Sequence, residues 1–246
     1  MLKDDIIYLR NDVAMKKMLV SDYDDTFYIN DDDILKNIEL VDEYRNQMVF
    51  MIATGRSYFD YNNKKNKYNI KSEYVILNHG ATILKNEEII YNIEIDNKIK
   101  NELIYDLKIE NSEKIFACSK KDSRLNIECN NLTKIHIKYP SKEYALEIYN
   151  YIFKKYSNYL NFFLVSDRTA IEIVSKRANK KNGVLKIMKL ENINKENVYT
   201  VGDGDTDYEM LSYFNGYKME KSSIKLQELE LPNVRSVSEL IKIINK

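Results

Sequence analysis

Short apolar segments that stop at polar or charged residues characterise the first third and the last third of the chain. Residues 18–21, 49–53 and 74–77 are too short for helices and show no alternation, which is typical of strands buried on both faces of a parallel sheet. Apolar side chains at helical spacing predict a helix over 34–44, and a polar helix is predicted from residue 58 to about 67. Strand, helix and strand at these intervals indicate parallel pairing with right-handed crossovers.

The hydrophobic pattern changes between residues 83 and 170. A hairpin is predicted at 83–91, and helices are predicted at 96–109 and 141–156. Residues 133–139 alternate strictly, which predicts a half-exposed antiparallel strand with Lys134, His136 and Lys138 on its polar face. Further strand candidates are residues 115–119, 125–129, 160–166 and 170–174.

The parallel pattern returns after residue 174, with a helix starting near Lys180, a strand at 198–201 and a last helix at 237–244. Helices on an antiparallel sheet, inserted into a parallel α/β chain, predict a second domain of roughly 80–90 residues. The chain therefore predicts an α/β fold with a parallel-sheet core formed by residues 1–82 and 171–246 and an inserted α/β domain over residues 83–170. Residues 1–17 are assigned no function.

Composition and charge narrow the classes of partner and location. The chain has 38 Lys plus Arg and 38 Asp plus Glu, so no net field recruits nucleic acid or an acidic membrane. Cys118 and Cys129 lack metal-binding spacing, and a single pair is a poor disulfide framework, which favours reduced thiols. Neither a signal peptide nor a membrane-length apolar run is found, so a soluble cytoplasmic protein is expected. These features leave the oligomeric state open.

Four polar clusters follow strands or begin helices of the predicted core: Asp22 with Asp24, Thr54-Gly55-Arg56, Lys180, and residues 203–207. The carboxyl ends of parallel strands share one edge, where ligands bind. Two neighbouring carboxylates repel each other unless a cation lies between them or one is protonated, although an acidic surface turn would have the same local sequence. Carboxylate oxygens favour Mg²⁺, and a Lys with a hydroxyl at a helix start suits phosphate. The residues predict Mg²⁺-assisted phosphoryl transfer.

These clusters resemble the four motifs of the haloacid dehalogenase (HAD) superfamily, and the chain is similar to its Cof-like sugar-phosphatase subgroup with a type IIB cap. The motifs match in order and spacing over residue 16 to the C-terminus, with Asp25 where Gly is usual and Thr206 where Asn is usual. The matching residues are Asp22-Tyr23-Asp24-Asp25-Thr26, Thr54-Gly55-Arg56-Ser57, Lys180 and Gly202-Asp203-Gly204-Asp205-Thr206-Asp207. The resemblance implies a Rossmann-like core in which residues 83–170 form the cap.

The resemblance also implies roles for individual residues. Asp22 would be the nucleophile that forms an aspartyl-phosphate, and Asp24 would transfer protons to and from the leaving oxygen and the water. The other implied contacts are with phosphate and metal. Phosphate would be held by Thr54, Gly55, Lys180 and Thr206, and Mg²⁺ by Asp22, the Asp24 backbone carbonyl, Asp203 and, as an outer or water-mediated ligand, Asp207.

The function predicted on this basis is a Mg²⁺-dependent phosphatase of small phosphorylated metabolites, with sugar phosphates as the leading class by resemblance. A phosphomutase is one alternative, although Arg124 and Arg168 are the two arginines of the predicted cap available to clamp a second phosphate. A catalytically silent metabolite-binding protein is the other. Arg56 is expected to be a structural partner, His79 a hydrogen-bonded residue at the core–cap boundary, and His136 a solvated residue.

Overall fold

Two β-sheets organise the chain in the computed structural model, which describes residues 16–245. Most of the N-terminal segment that was assigned no function lies outside these residues. The strands are β1 (Lys17–Ser21), β2 (Met48–Ala53), β3 (Tyr74–Leu77), β4 (Thr82–Lys85), β5 (Glu88–Asn92), β6 (Lys114–Cys118), β7 (Lys134–Lys138), β8 (Leu160–Val165), β9 (Ala170–Ser175), β10 (Val198–Gly202), β11 (Asn215–Met219) and β12 (Asn233–Val234). The α-helices are α1 (Asp31–Glu43), α2 (Tyr58–Tyr68), α3 (Asn97–Asp106), α4 (Lys142–Tyr156), α5 (Lys180–Leu190), α6 (Tyr208–Tyr213), α7 (Ile224–Gln227) and α8 (Val237–Ile244).

The large sheet has the strand order β12-β11-β10-β1-β2-β3-β4-β5, and its strands from β12 to β3 are parallel. Every residue of β2 and β3 is buried, as expected for strands covered by helices on both faces. One face packs against α1 and α8, and the other packs against α5 through Val184 and Ile187. We call this sheet with α1, α2 and α5–α8 the core. The predicted α/β fold with a parallel central sheet is confirmed.

The small sheet is antiparallel, with the order β6-β7-β9-β8. Ile135 and Ile137 of β7 and Ile171 and Ile173 of β9 are buried on one face, in a cluster with apolar residues of α3 and α4. We call this sheet with α3 and α4 the cap. Because side chains alternate along a strand, the opposite face of the sheet carries Lys134, His136, Lys138 and Glu172.

The predicted limits of the inserted domain, residues 83 and 170, differ from the observed sheet membership. The β4–β5 hairpin pairs antiparallel with β3 and extends the large sheet, whereas β9 lies wholly in the small sheet. A hairpin or a short apolar strand has the same local pattern whichever sheet it joins, so sequence periodicity does not distinguish the two. The chain crosses between the sheets after Asn92 and again after Ser175.

One strand prediction is wrong. Residues 125–129 form turns and bends, with a single bridge between Ala117 and Leu125.

The two thiols are unpaired, with Cys118 buried and Cys129 exposed. Within residues 16–245, no helix has both the length and the apolar character needed to cross a bilayer.

Candidate active site

The carboxyl ends of three adjacent strands bring the predicted motifs together. β1 lies between β10 and β2, and Asp22, Thr54 and Asp203 each follow directly after one of these strands. The Asp22 amide donates to the Val201 carbonyl at 2.9 Å, which continues the β1–β10 hydrogen bonding by one residue. Sheet topology alone therefore places these side chains at one edge, as expected for parallel strands.

Immediately after Asp22 the chain turns sharply. The Asp22 carbonyl accepts hydrogen bonds from the Ser21 hydroxyl at 2.7 Å and from the Phe27 amide at 3.2 Å. Tyr23 and Phe27 are fully buried and anchor the turn in the core. Asp25 has a φ of 55°, a left-handed conformation that favours Gly and that Asp adopts more readily than most residues. Asp25 is exposed, and it lines the cleft described below.

Lys180 is the cation at the centre of the site. Its Nζ lies 2.5 Å from Asp22 Oδ1 and 2.7 Å from Asp207 Oδ1, and its side chain is 2% exposed. As the first residue of α5, a lysine is disfavoured by the positive end of the helix dipole, so the two carboxylates must stabilise it. Burial alone would lower the pKa of Lys180, but Asp207 and Asp22 raise it above its usual value. The ammonium group therefore stays charged.

Asp22, Asp203 and Asp207 form an acidic cluster whose carboxylate oxygens lie within 4.8 Å of one another. Burial raises the pKa of Asp22 well above its usual value, with Asp207 and Asp203 adding to the effect and Lys180 opposing it. Burial and Asp207 raise the pKa of Asp203 to about 6. Lys180 is the cation that contacts this cluster, so three ionised carboxylates would carry more negative charge than it neutralises. Closely spaced carboxylate oxygens, here from two buried residues and the half-buried Asp203, fit a hard divalent cation such as Mg²⁺.

The individual oxygens of this cluster differ in availability. Asp207 uses Oδ1 for Lys180 and Oδ2 for the Gly204 amide at 3.1 Å. A Cβ on Gly202 would lie 2.5 Å from Asp207 Cγ, so glycine lets this carboxylate approach the end of β10. Asp22, by contrast, uses Oδ1 for Lys180, and no described residue donates a hydrogen bond to its Oδ2. Asp207 is suited to holding Lys180, whereas Asp22 keeps a free oxygen beside the cleft.

Asp24 lies outside the acidic cluster and forms a bidentate pair with Arg56. Arg56 Nε is 2.9 Å from Asp24 Oδ2, and Nη2 is 2.5 Å from Oδ1. The side chain of Asp24 is 47% exposed. A metal contact from this residue would therefore come from its backbone rather than its carboxylate. Arg56 is a structural partner, as expected, and the group that it holds is the predicted catalytic residue Asp24.

The second motif forms a loop beside Asp22. Thr54 is buried, and its Oγ1 accepts a hydrogen bond from the Arg56 amide at 3.1 Å, which leaves the hydroxyl proton free to donate. The Gly55 carbonyl accepts from Lys134 Nζ of the cap at 2.6 Å. Thr206 lines the same cleft, and its predicted phosphate contact stays a prediction.

Glu172 of β9 is the centre of a buried polar network between cap and core. It lies 2.8 Å from Lys134 Nζ, 2.5 Å from His79 Nε2 and 3.0 Å from His136 Nδ1. The side chains of Lys134 and His136 are 4% and 13% exposed, so the expectation of a solvated His136 is wrong, as is that of a solvent-facing Lys134. The core covers the polar face of β7 at Lys134, whereas the side chain of Lys138 at the other end of the strand is 41% exposed. His79 is hydrogen-bonded at the core–cap boundary, as predicted.

Sequence reasoning missed this network, although one signal was available. Glu172 stands alone among Ala170, Ile171, Ile173 and Val174, and a single carboxylate in a buried strand needs partners. Burial alone would raise the pKa of Glu172, but the Lys134 ammonium and the hydrogen bonds from His136 and His79 hold it well below its usual value of 4.5.

This lowered pKa predicts a pH-dependent contribution to stability. The contribution of Glu172 is fully present above about pH 4.5 and is lost as the pH falls, because protonation breaks the ion pair. Glu172→Gln should lower the free energy of unfolding at pH 7 and remove up to about 1.4 kcal/mol per pH unit from its slope below pH 4.5. Urea unfolding between pH 7 and pH 3 measures both effects. Glu147→Gln, at an exposed position of α4, is the control, and an equal slope in the two variants would contradict the assignment.

The core edge and the polar face of the cap enclose a cleft of about 1290 Å³. The acidic cluster, Lys180 and the Thr54–Arg56 loop lie on one wall, and Phe116, His136 and Glu172 lie on the other. A second cavity of about 1250 Å³ lies beside the crossing segments, but no residue of the acidic cluster lines it. The first cleft is therefore the one that contains the predicted site residues.

The comparisons with known proteins agree with this architecture. A protein of Mycoplasma capricolum subsp. capricolum is 34% identical over 95 residues, which span 35% of the chain and 35% of that protein. A HAD/COF-like protein of Plasmodium vivax has a TM-score of 0.81 at 17% identity, covering 95% of this chain and 97% of that one. The sucrose-phosphatase of Synechocystis sp. PCC6803, solved with sucrose and phosphate, has a TM-score of 0.68 at 15% identity, with 94% and 97% covered.

Structural likeness at these identities shows the fold, and the family assignment comes from a family model. The model of haloacid dehalogenase-like hydrolases matches residues 19–128 and 110–230, two overlapping stretches that include all four motifs. The chain belongs to the haloacid dehalogenase-like hydrolases.

Proposed function

We propose that the protein is a Mg²⁺-dependent phosphatase that hydrolyses small phosphorylated metabolites through an aspartyl-phosphate on Asp22, with sugar phosphates as the leading substrate class. The observation that carries the proposal is the buried contact of Lys180 with Asp22 and Asp207, beside a free Asp22 oxygen that borders the cleft. The sucrose-phosphatase of the same fold, which holds sucrose and phosphate, supports the substrate class.

In the first step Asp22 Oδ2 attacks the phosphorus atom, and the bond between phosphorus and the ester oxygen breaks as the aspartyl-phosphate forms. Asp24 donates a proton to the leaving oxygen. Because both carboxylate oxygens of Asp24 bind Arg56, this pair must open before Asp24 can reach the leaving oxygen. Water then attacks the phosphorus of the intermediate and Asp24 takes its proton, while the bond between phosphorus and Asp22 Oδ2 breaks, which releases inorganic phosphate and regenerates the Asp22 carboxylate.

Lys180 and the second-motif loop hold the transferred group. The Lys180 ammonium, the Thr54 hydroxyl and the Gly55 amide donate to phosphoryl oxygens, which lowers the repulsion between an anionic nucleophile and an anionic phosphate. Asp22 and Asp203 would hold Mg²⁺ directly, with the Asp24 carbonyl and a water-mediated contact from Asp207. When bound, Mg²⁺ supplies positive charge that neutralises the phosphoryl oxygens and orients them for in-line attack.

The cap explains the restriction to small substrates. Its polar face covers the acidic cluster, so the leaving group must fit into the cleft between the two sheets. Exclusion of bulk water also protects the reactive intermediate and strengthens electrostatic interactions. Phosphorylated macromolecules are accordingly not expected as substrates. A cytoplasmic location remains a prediction.

The proposal is tested by phosphate release from a panel of sugar phosphates, nucleotides, pyridoxal phosphate and flavin mononucleotide, assayed with Mg²⁺ or with EDTA. We expect release from at least one member with Mg²⁺ and at least a hundredfold less with EDTA. Isomerisation of a sugar phosphate without release would favour a phosphomutase. Binding of panel members without any turnover would favour a silent metabolite-binding protein, and either result contradicts the proposal.

A further inference from the structure

Lys134 reaches from the cap into the phosphate-binding loop of the core. Its Nζ lies 2.6 Å from the Gly55 carbonyl and 2.8 Å from Glu172 Oε1. Its side chain is 4% exposed, so its charge is buried among these groups rather than solvated. A buried ammonium needs such partners, and one of those it has is a carbonyl of the second motif.

The Gly55 carbonyl belongs to the same peptide unit as the Arg56 amide. A peptide unit is planar, so fixing its carbonyl also fixes the direction of its N–H group. That N–H donates to Thr54 Oγ1 at 3.1 Å, which leaves the hydroxyl proton of Thr54 free to donate to another group. Lys134 thereby orients the hydroxyl that is proposed to hold the phosphoryl group.

The same peptide unit also begins Arg56, whose guanidinium holds both oxygens of Asp24. The backbone from which this side chain extends is set by the Gly55–Arg56 peptide. A rotation of the peptide would therefore displace the Thr54 hydroxyl and the Asp24 carboxylate together. The nucleophile is not connected in this way, since Asp22 is held by Lys180.

His79, the core residue that bonds to Glu172, contacts Gly55 on a second side. A Cβ on Gly55 would lie 2.5 Å from the His79 ring, so the imidazole packs directly against this glycine. His79 stacks on Phe163 of the cap at 4.3 Å and bonds to Glu172, the partner of Lys134. Cap and core side chains thus confine the loop from its carbonyl side and from its Cα side.

We infer that Lys134, held by Glu172, is a positioning residue through which the docked cap orders the phosphoryl-binding loop. The inference rests on the proposed function, since it concerns the same reaction. With Lys134 in place, the Thr54 hydroxyl and the Gly55–Arg56 peptide are set before phosphate arrives. When the cap moves away, this order is lost.

The test compares Lys134→Met, Lys134→Arg and the double variant Lys134→Met/Glu172→Gln. The double variant removes both charges of the ion pair and so avoids an unpaired buried carboxylate. Lys154→Met, at an exposed position on α4, makes the same chemical change away from the cleft and is the control. Thermal unfolding shows that each variant is folded. The readouts are kcat, KM and the inhibition constant of inorganic phosphate, which probes the loop without a leaving group.

We expect the double variant to lose about 10²-fold in kcat, as for a misplacement near 1 Å, and to bind inorganic phosphate at least tenfold more weakly. Lys134→Arg should recover part of both losses, and Lys154→Met should stay within threefold of the wild-type protein. A folded double variant with unchanged kcat and phosphate inhibition would overturn the inference. Equal losses in Lys154→Met would also overturn it, because they would indicate a general weakening of the cap.

Failure of the proposed function can be told apart from failure of this inference. If the wild-type protein releases no phosphate from any substrate, the proposed function fails. Calorimetric titration of inorganic phosphate with Mg²⁺ then decides the inference on its own. Tenfold weaker binding by the double variant supports it, and equal binding, or no binding by the wild-type protein, overturns it.

Discussion

Asp22→Asn should lower kcat by at least about four orders of magnitude, because an amide oxygen is a poor nucleophile and no neighbouring group can replace it. Lys180 would lose one of its two carboxylate partners and keep Asp207, so the fold should be preserved. Phosphate release and thermal unfolding measure the two effects. Asp25→Asn, which removes an exposed carboxylate three residues further along the chain, is the matched control and should stay within a few fold of wild type.

Trapping the covalent intermediate is a second test that uses the same variant. Rapid acid quenching of wild-type protein during turnover should trap a phosphoryl adduct, detected by intact-mass and peptide analysis on Asp22. The variant should show none. An Asp22→Asn protein that retains more than a hundredth of the wild-type rate would exclude Asp22 as the nucleophile, since no adjacent carboxylate has the same free oxygen beside Lys180.

Lys180→Met should affect both stability and catalysis. It leaves Asp22 and Asp207 buried without their cation, and breaking a buried ion pair typically costs about 3–5 kcal/mol. The raised pKa of Asp22 allows it to be protonated, so the loss in the metal-free protein should be smaller at pH 5 than at pH 8. Turnover should fall at least ~10³-fold, since the phosphoryl group loses a buried charged donor.

Urea unfolding in EDTA at the two pH values measures the stability effect. The control is Lys181→Met at the next residue, whose partly exposed pair with Glu209 should contribute less than about 1 kcal/mol. If both variants lost the same free energy of unfolding, the buried ion pairs of Lys180 would contribute no more to stability than the partly exposed pair of Lys181, which would contradict the prediction. Mg²⁺ should restore part of the stability of Lys180→Met, because it supplies positive charge to the same carboxylates.

The part of the candidate site that lies in the core could be predicted from the sequence because of the way a parallel sheet is built. The carboxyl ends of the strands in a parallel α/β sheet share one edge. A polar residue that directly follows a buried apolar strand can therefore be placed at that edge from the sequence alone. Asp22, Thr54 and Asp203 follow this rule. Lys180 needed the family motif as well, since Lys176 and Lys181 are equally plausible neighbours by composition.

The cap half could not be obtained in the same way. Alternation along residues 133–139 correctly separates Lys134 and His136 from the apolar face, but it does not say whether solvent or another domain covers the polar face. That depends on how two sheets dock, which involves residues far apart in the chain. The Arg56–Asp24 pair and the membership of the β4–β5 hairpin are unpredictable for the same reason.

The short crossing from β9 to α5 has a mechanical consequence. Residues 176–179 are the whole connection between the cap strand that carries Glu172 and the helix that begins at Lys180. Four residues span at most about 14 Å when fully extended, and Asn161 of β8 binds the carbonyls of Lys176 and Ala178. Because this connection is short and hydrogen-bonded, a large movement of the cap would also displace the first turn of α5. This short connection, which ends at Lys180, thereby limits how far the cap can move.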